Sequence, residues 1–240
     1  MPNSRPDFSL VIPLYNEEGV IKKLVDELSG EFSRDGLDYE IVLVDNGSRD
    51  ATGKTMDAVA SKNPHVKPIH VMPNAGFGGG ILAGMNAARG NYIGFSTGGS
   101  QVTAKDILKV YYISKNNKNS VCKGKRLWRE SAYRTILATA YNILFSVLFF
   151  VVSVDVDGYP FIMKREIFQA LQIRSKNFMI FAEIYMKAKS GGYNLIEVPV
   201  SYRKRVWGNS HLSLHTILSF IVQIFQLRLA WRSIQPVKPK

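Results

Sequence analysis

The chain has 240 residues, 46% of them hydrophobic and 21% charged, with a formal net charge of +12. That balance excludes a disordered chain and allows one large α/β domain or two small ones. The basic excess calls for an anionic partner, but no zinc-finger spacing or RNP-like aromatic strand points to nucleic acid. A single cysteine, Cys122, excludes an internal disulfide framework and fits a reducing compartment. The amino-terminal residues have no apolar run behind their charges, so no signal peptide is expected.

Phe8 to Ile12 is a short apolar run closed by Pro13, which reads as a first strand. Asn16 is placed to cap the next helix, whose Val20, Ile21, Leu24, Val25 and Leu28 recur at helical spacing. Tyr39 to Val44 reads as strand two, and Asp45-Asn46-Gly47-Ser48 as the turn after it. A helix through Met56 and Val59 leads to strand three, Val66 to Val71. A glycine-rich loop, Asn74 to Gly80, runs into a helix ending near Ala88. Asn91 to Phe95 reads as strand four, followed by the loop Thr97-Gly98-Gly99. Thr103 and Asp106 resemble a capping box that opens a helix through Ser114.

The second half is less regular. Val121 to Gly124 reads as a strand and residues 130–152 as helical. Val156 to Met163 reads as extended, Met179 to Lys189 as a helix and Leu195 to Val200 as a strand. The alternation predicts an α/β fold with a mainly parallel sheet and helices on both faces. Thr135 to Val154 carries no charged residue and meets a membrane span by length. Thr139, Asn142 and Ser146 interrupt it, which favours a core or interfacial helix. His211 to Leu229 is apolar on one side, with Trp231 and Arg232 following. It suits a membrane interface, and equally a helix packed on the domain or on a second subunit.

In a parallel sheet the loops at the strand carboxyl ends converge on one edge, where ligands bind. There Glu17 and Asp45 can accept hydrogen bonds from a ribose or a base. The glycine loop can bring bare backbone N–H groups near a phosphate, with the next helix dipole behind it. Gly78-x-Gly80-x-x-Ala83 mimics a dinucleotide fingerprint, but it follows the third strand, and such glycines also serve tight packing. The residues alone therefore point to a nucleotide site.

The segments VIPLYNEEGVI, EIVLVDNGSRDAT, NAGFGGGILAGMNAARGNYIGF and EVPVSYRKRVWGNS resemble the family 2 glycosyltransferases. The branch is that of the polyprenyl-phosphate sugar transferases, of the dolichol-phosphate mannose synthase type. The resemblance covers about residues 8–210. It implies a GT-A fold, with a nucleotide-binding half over about 1–100, an acceptor half over 101–208, and an amphipathic helix with a basic tail over 209–240. It implies inverting transfer from a GDP- or UDP-linked sugar to a polyprenyl phosphate or similar acceptor, by a peripheral protein at the cytosolic membrane face. By the same resemblance Pro13, Tyr15, Glu17 and Asp45 line the nucleoside pocket, Asn46, Thr97, Gly98, Gly99 and Gln101 belong to the nucleotide-sugar site, and Asn74 and Gly78 lie against the donor.

Two departures stand out. Relatives carry a second acid where this chain has Asn46. Relatives also carry Asp-x-Asp, the ligand pair for Mg2+ or Mn2+, where this chain has Thr97-Gly98-Gly99, followed by a recognisable Gln101. Hard cations take oxygen ligands, carboxylates above all. The usual metal site is therefore not expected, although Mg2+ or Mn2+ is the family's cofactor. Gly98 and Gly99 leave open the room that acids would fill. Basic side chains are the expected substitutes: Lys125, Arg126, Arg129, Arg134, Arg203, Lys204 and Arg205. If the acceptor were a sugar hydroxyl, Asp155, Asp157 or Glu183 could act as base; Glu183 could equally be a buried acid paired with a nearby cation. The four histidines read as ordinary. The competing expectation is a catalytically inactive homologue that binds nucleotide-sugar, membrane or a partner. A homodimer through the apolar carboxyl-terminal helix is a further expectation.

Overall fold

The computed structural model describes residues 5–127, 132–149, 155–204 and 214–234. Of residues 132–134, 214–218, 230 and 232–234 only the backbone is described. The elements alternate through the first half: β1 (Phe8–Leu14), α1 (Ile21–Arg34), β2 (Tyr39–Asp45), α2 (Thr52–Ala60), β3 (Val66–His70), α3 (Phe77–Ala87), β4 (Tyr92–Phe95) and α4 (Ala104–Asn116). Then follow β5 (Ser120–Arg126), α5 (Ala132–Phe149), β6 (Phe161–Lys164), α6 (Arg165–Leu171), α7 (Ile180–Ser190), β7 (Asn194–Val200) and α8 (Leu214–Ile234).

The strands form one seven-stranded sheet in the order β3-β2-β1-β4-β6-β5-β7. All pairings are parallel except those of β6, which runs against both β4 and β5. β1 and β2 are buried along almost their whole length, as central parallel strands covered on both faces must be. The two edge strands each carry a proline, Pro68 in β3 and Pro199 in β7, which removes a donor from an exposed ladder. α1 turns Ile21, Leu24, Val25, Leu28 and Phe32 inward, a spacing that keeps one helical stripe on the sheet. α4 begins with Thr103 as the expected cap: Asp106 N–H donates to Thr103 Oγ1 (3.0 Å), and the Thr103 hydroxyl donates to Asp106 Oδ2 (2.9 Å), a side-chain variant of the capping box.

Several expectations need correction. Asn16 does not cap α1. It sits in the left-handed region at φ +54°, and its Oδ1 accepts Arg49 N–H instead, while α1 begins later, at Ile21. The extended run expected from Val156 is a strand only over Phe161–Lys164, with 155–160 forming its approach along the site edge. The short helix α6 was not foreseen.

A second, smaller core gathers α5, α7 and α8 around Phe145, Phe149, Tyr185, Ile224 and Trp231. The part of the uncharged run up to Phe149 lies in the 18-residue helix α5, which has one face packed, and residues 150–154 lie outside the described residues. Among the described residues no helix is long and apolar enough to cross a membrane.

Candidate active site

Because β6 alone is reversed, the carboxyl ends of the other six strands and the amino end of β6 share one edge. The loops after β1 and β2 are knitted together there. Asn16 N–H donates to Ser48 Oγ (3.0 Å), Glu17 N–H to Thr52 Oγ1 (2.8 Å) and Ala51 N–H to Glu18 Oε2 (2.7 Å). Asp50 accepts from the amides of Thr52 and Glu18. Its slight burial raises the carboxyl, but these bonds outweigh it and hold Asp50 below the usual range. On this frame Tyr15 is exposed, Pro13 half-buried and Glu17 buried. Asp45 is buried at the end of β2. Its Oδ1 accepts Ser48 N–H (2.9 Å), and its Oδ2 lies 3.6 Å from His70 Nδ1. His70 Nε2 in turn is 3.0 Å from Asp57 Oδ1, so His70 bridges two carboxylates beside the expected nucleoside pocket.

Asn46 is a clamp. Its Nδ2 donates to Gly76 O (2.9 Å), and its Oδ1 accepts Ala75 N–H (3.0 Å). An aspartate could make the second bond but not the first, so the amide is the side chain this loop needs. The glycines beyond it permit close packing. Gly76 sits at φ +81°, and a Cβ on Gly78 would stand 2.4 Å from Ser175 O and 2.7 Å from Asn177 O. Gly79 N–H donates to Lys176 O (3.1 Å). The segment 175–177 therefore lies over the glycine loop, and stacked rings of Phe77 and Phe178 (4.5 Å) extend the contact. Packing accounts for Gly76, Gly78 and Gly79 without a phosphate. Asn74 stays exposed at the loop tip.

The covering segment is held from α7. Glu183, 1% exposed, accepts from Arg174 N–H (3.1 Å) and Ser175 N–H (2.7 Å) and pairs with Lys187 Nζ at 2.7 Å. Lys187 Nζ also donates to Gln172 O (2.7 Å). Burial pushes the Glu183 carboxyl up, but Lys187 and the Ser175 bonds pull it down further, to a net lowering. A carboxylate so buried and so occupied fits the paired acid that the sequence left open beside a base.

The loop after β4 packs tightly. A Cβ on Gly98 would stand 2.5 Å from Leu14 Cδ2, so Gly98 leaves no empty room, contrary to expectation. Gly99 is buried, Thr97 half-buried, and Ser100 adopts φ +50°. Gln101 Oε1 accepts from Tyr159 Oη–H (3.1 Å), and Tyr159 Oη is 2.8 Å from Tyr202 Oη. Burial raises the Tyr159 phenol, so it stays a neutral donor.

Behind this loop stands Arg126, at the end of β5. Its Nε and backbone N–H both donate to Asp155 Oδ2 (2.9 Å each). Its Nη2 reaches Asp155 Oδ1 (2.5 Å) and Asp157 Oδ1 (2.7 Å). The guanidinium faces the rings of both Tyr159 and Tyr202, 5.5 and 5.6 Å from their centroids. Burial alone would lower it, but Asp157 and Asp155 hold it well above its ordinary value. Lys123, fully buried, donates to Asp155 O and to Glu197 Oε1 (3.3 Å). Arg126 thus enters the edge already paired with carboxylates. Arg203 is anchored to Glu27 at 3.2 Å, while Lys204 is exposed. Arg129, Arg205 and the side chain of Arg134 lie outside the described residues.

The pattern of glycosyl transferase family 2 matches residues 9–172, more than half of the chain. The chain belongs to this family. A dolichol-phosphate mannosyltransferase of Pyrococcus furiosus is 26% identical over 91% of the chain and 63% of its own length. An undecaprenyl-phosphate 4-deoxy-4-formamido-L-arabinose transferase of Shewanella sediminis is 32% identical over 59% of the chain and 44% of its own length. The chain spans less than two thirds of either relative. A mannosyltransferase from Pyrobaculum calidifontis, solved with GDP-Man and Mn2+, shares the fold at TM-score 0.67 and 19% identity, covering 99% of this chain and 67% of that one.

The 97–101 loop, which stands where relatives are expected to carry Asp-x-Asp, does not by its own side chains fit a divalent ion. Thr97-Gly98-Gly99 supplies no carboxylate, and the side-chain oxygen of Gln101 is taken by Tyr159. Among the described residues no cluster of three His, Cys, Asp or Glu side chains could hold a metal ion. The sequence reading missed Tyr159, Tyr202, Lys123 and His70. Tyr202 lies inside a quoted family segment and Tyr159 two residues after the candidate Asp157, so a signal was present. His70 had none, because its meaning depends on Asp57, 13 residues away.

Proposed function

We propose that this chain transfers a sugar from a nucleotide-diphosphate donor to a polyprenyl phosphate or a similar anionic lipid. The observation that carries this reading is the convergence of Pro13, Tyr15, Glu17, Asp45 and Asn74 on one sheet edge with the 97–101 loop and the Arg126 network. The names of these relatives, which refer to dolichol phosphate and undecaprenyl phosphate, support the acceptor class. In this reading the loops after β1 and β2 hold the nucleoside, with Asp45 as hydrogen-bond acceptor. The acceptor phosphate is itself the nucleophile, so no strong general base is needed. That agrees with Glu183 being a structural acid and with Asp155 and Asp157 being bound to Arg126. Arg203, Lys204 and the basic residues of 129–134 and 205 are the cations proposed for the acceptor phosphate.

The lipid acceptor gives the apolar helices a role. α5 exposes Ile136, Ile143 and Val147, and α8 exposes Val222, Phe225 and Leu229, the last at 84%. α8 is tied to α5 by Arg228 Nε donating to Leu148 O (2.8 Å). A paired apolar face on a chain of net charge +12 suits an anionic membrane surface.

The test is release of nucleoside diphosphate from a panel of GDP- and UDP-sugars, with and without a short polyprenyl phosphate. Acceptor-dependent release is expected. No release from any donor, with intact nucleotide binding, would support the second reading, a non-catalytic nucleotide-sugar binder. That reading is favoured by one observation, the loss of both acids from the Asp-x-Asp position.

A further inference from the structure

The loop between β4 and α4 contains a residue that neither the fold nor the network around Arg126 explains. Ser100 is only 5% exposed, and its hydroxyl has no hydrogen-bond partner among the described residues. It also holds φ +50°, a left-handed conformation that a non-glycine residue adopts at a cost. Most buried polar atoms are satisfied, so an unpartnered hydroxyl held in a costly conformation is a group available to a ligand. The loop is anchored on either side of Ser100. Gly98 is wedged against Leu14, and Gln101 is bound through its side chain to Tyr159 and through its carbonyl to Arg203 N–H (2.8 Å).

The chemistry of the loop favours an anion over a cation. A metal site here would need carboxylates, and the loop has none, with the nearest side-chain carbonyl oxygen already accepting a bond. What the loop offers instead is hydroxyl donors, Ser100 and Thr97. The acids of the neighbouring 155–157 segment face a fixed guanidinium. We propose that this loop binds the donor's diphosphate directly, without a divalent cation, and that the Ser100 hydroxyl donates a hydrogen bond to it. The inference rests on the reading of this edge as the nucleotide-sugar site.

Isothermal titration of the full chain with UDP and with GDP, each in EDTA and in Mn2+, tests it, together with Mn2+ retention read by electron paramagnetic resonance. The expected result is a dissociation constant that changes less than about twofold between EDTA and Mn2+, with no Mn2+ retained. Ser100→Ala is expected to weaken nucleotide binding roughly tenfold, the effect of losing a bond to a charged group. Its melting temperature should not fall, because no protein partner is lost. Binding that needs Mn2+, or Mn2+ held by the nucleotide-bound chain, overturns the proposal. So does Ser100→Ala binding as tightly as the parent, or unfolding earlier with unchanged affinity. If neither nucleotide binds in either condition, the nucleotide reading itself fails, and Mn2+ giving no rescue tells this apart from a metal requirement.

Discussion

Glu183→Gln removes one charge from a buried pair and little else. The side chain keeps its shape and one acceptor oxygen for the Arg174 and Ser175 amides, but Lys187, itself 2% exposed, loses its counter-charge. Breaking one partner out of a buried ion pair costs about 3–5 kcal/mol. In a chain of this size each kcal/mol moves the melting temperature by about 2–4 °C, so a fall of roughly 6–20 °C is expected at pH 7. Thermal unfolding followed by circular dichroism measures it. Lys187→Met should fall comparably, and the double variant should fall by less than the sum. The sign with pH is fixed by the lowered carboxyl. Below its ordinary value of 4.5 the unfolded chain takes the proton more readily than the native one, so the contribution is complete above that pH. It is lost as pH falls through the native value, and the gap between parent and Glu183→Gln should close there. An unchanged melting temperature combined with lost turnover would refute the structural role and restore Glu183 as a base.

Gly78→Ala would push a Cβ to 2.4 Å from Ser175 O, so backbone must move. Overpacking of this kind costs about 1–3 kcal/mol, and the melting temperature should fall before any nucleotide is added. A loss of nucleotide affinity at unchanged stability would instead favour a phosphate cradle. Asn46→Asp restores the family's acid but turns a carboxylate toward Gly76 O, and it should destabilise by about 1–3 kcal/mol in chemical denaturation. Val147→Glu together with Leu229→Glu should abolish sedimentation with anionic vesicles while leaving the melting temperature unchanged, because both side chains are exposed. Retained vesicle binding would remove the lipid role of α5 and α8, and a shift from dimer to monomer in analytical ultracentrifugation would assign the face to a second copy.

The alternation of elements was legible because each strand and helix announces itself locally, in apolar runs of four to seven residues or in helical spacing. The Thr103 capping box was legible for the same reason, since its two partners lie three residues apart. The reversed direction of β6 was not. Four apolar residues look the same whichever way the strand runs, and direction is decided by where the chain returns. The purpose of the glycine loop was hidden too, because what approaches Gly78 comes from residues 175–177. Asn16 misled because its side chain had a partner 33 positions away that competed better than the helix did. Arg126 was found as a cation of the edge, but its partners 29 and 31 residues on could only be seen once β5 and β6 were paired.

The reversal of β6 has a consequence for how such a cleft can change. The side of the edge proposed for the nucleoside is built from segments that leave their strands, after β1, β2 and β3. The counter-charge of Arg126 comes from a segment that leads into a strand, Asp155 to Pro160. Substitutions there can reset the charge of the cleft without disturbing any loop that follows a nucleoside-side strand. The two sides of this edge are therefore separately adjustable, one through loops that follow strands and the other through a segment that precedes one.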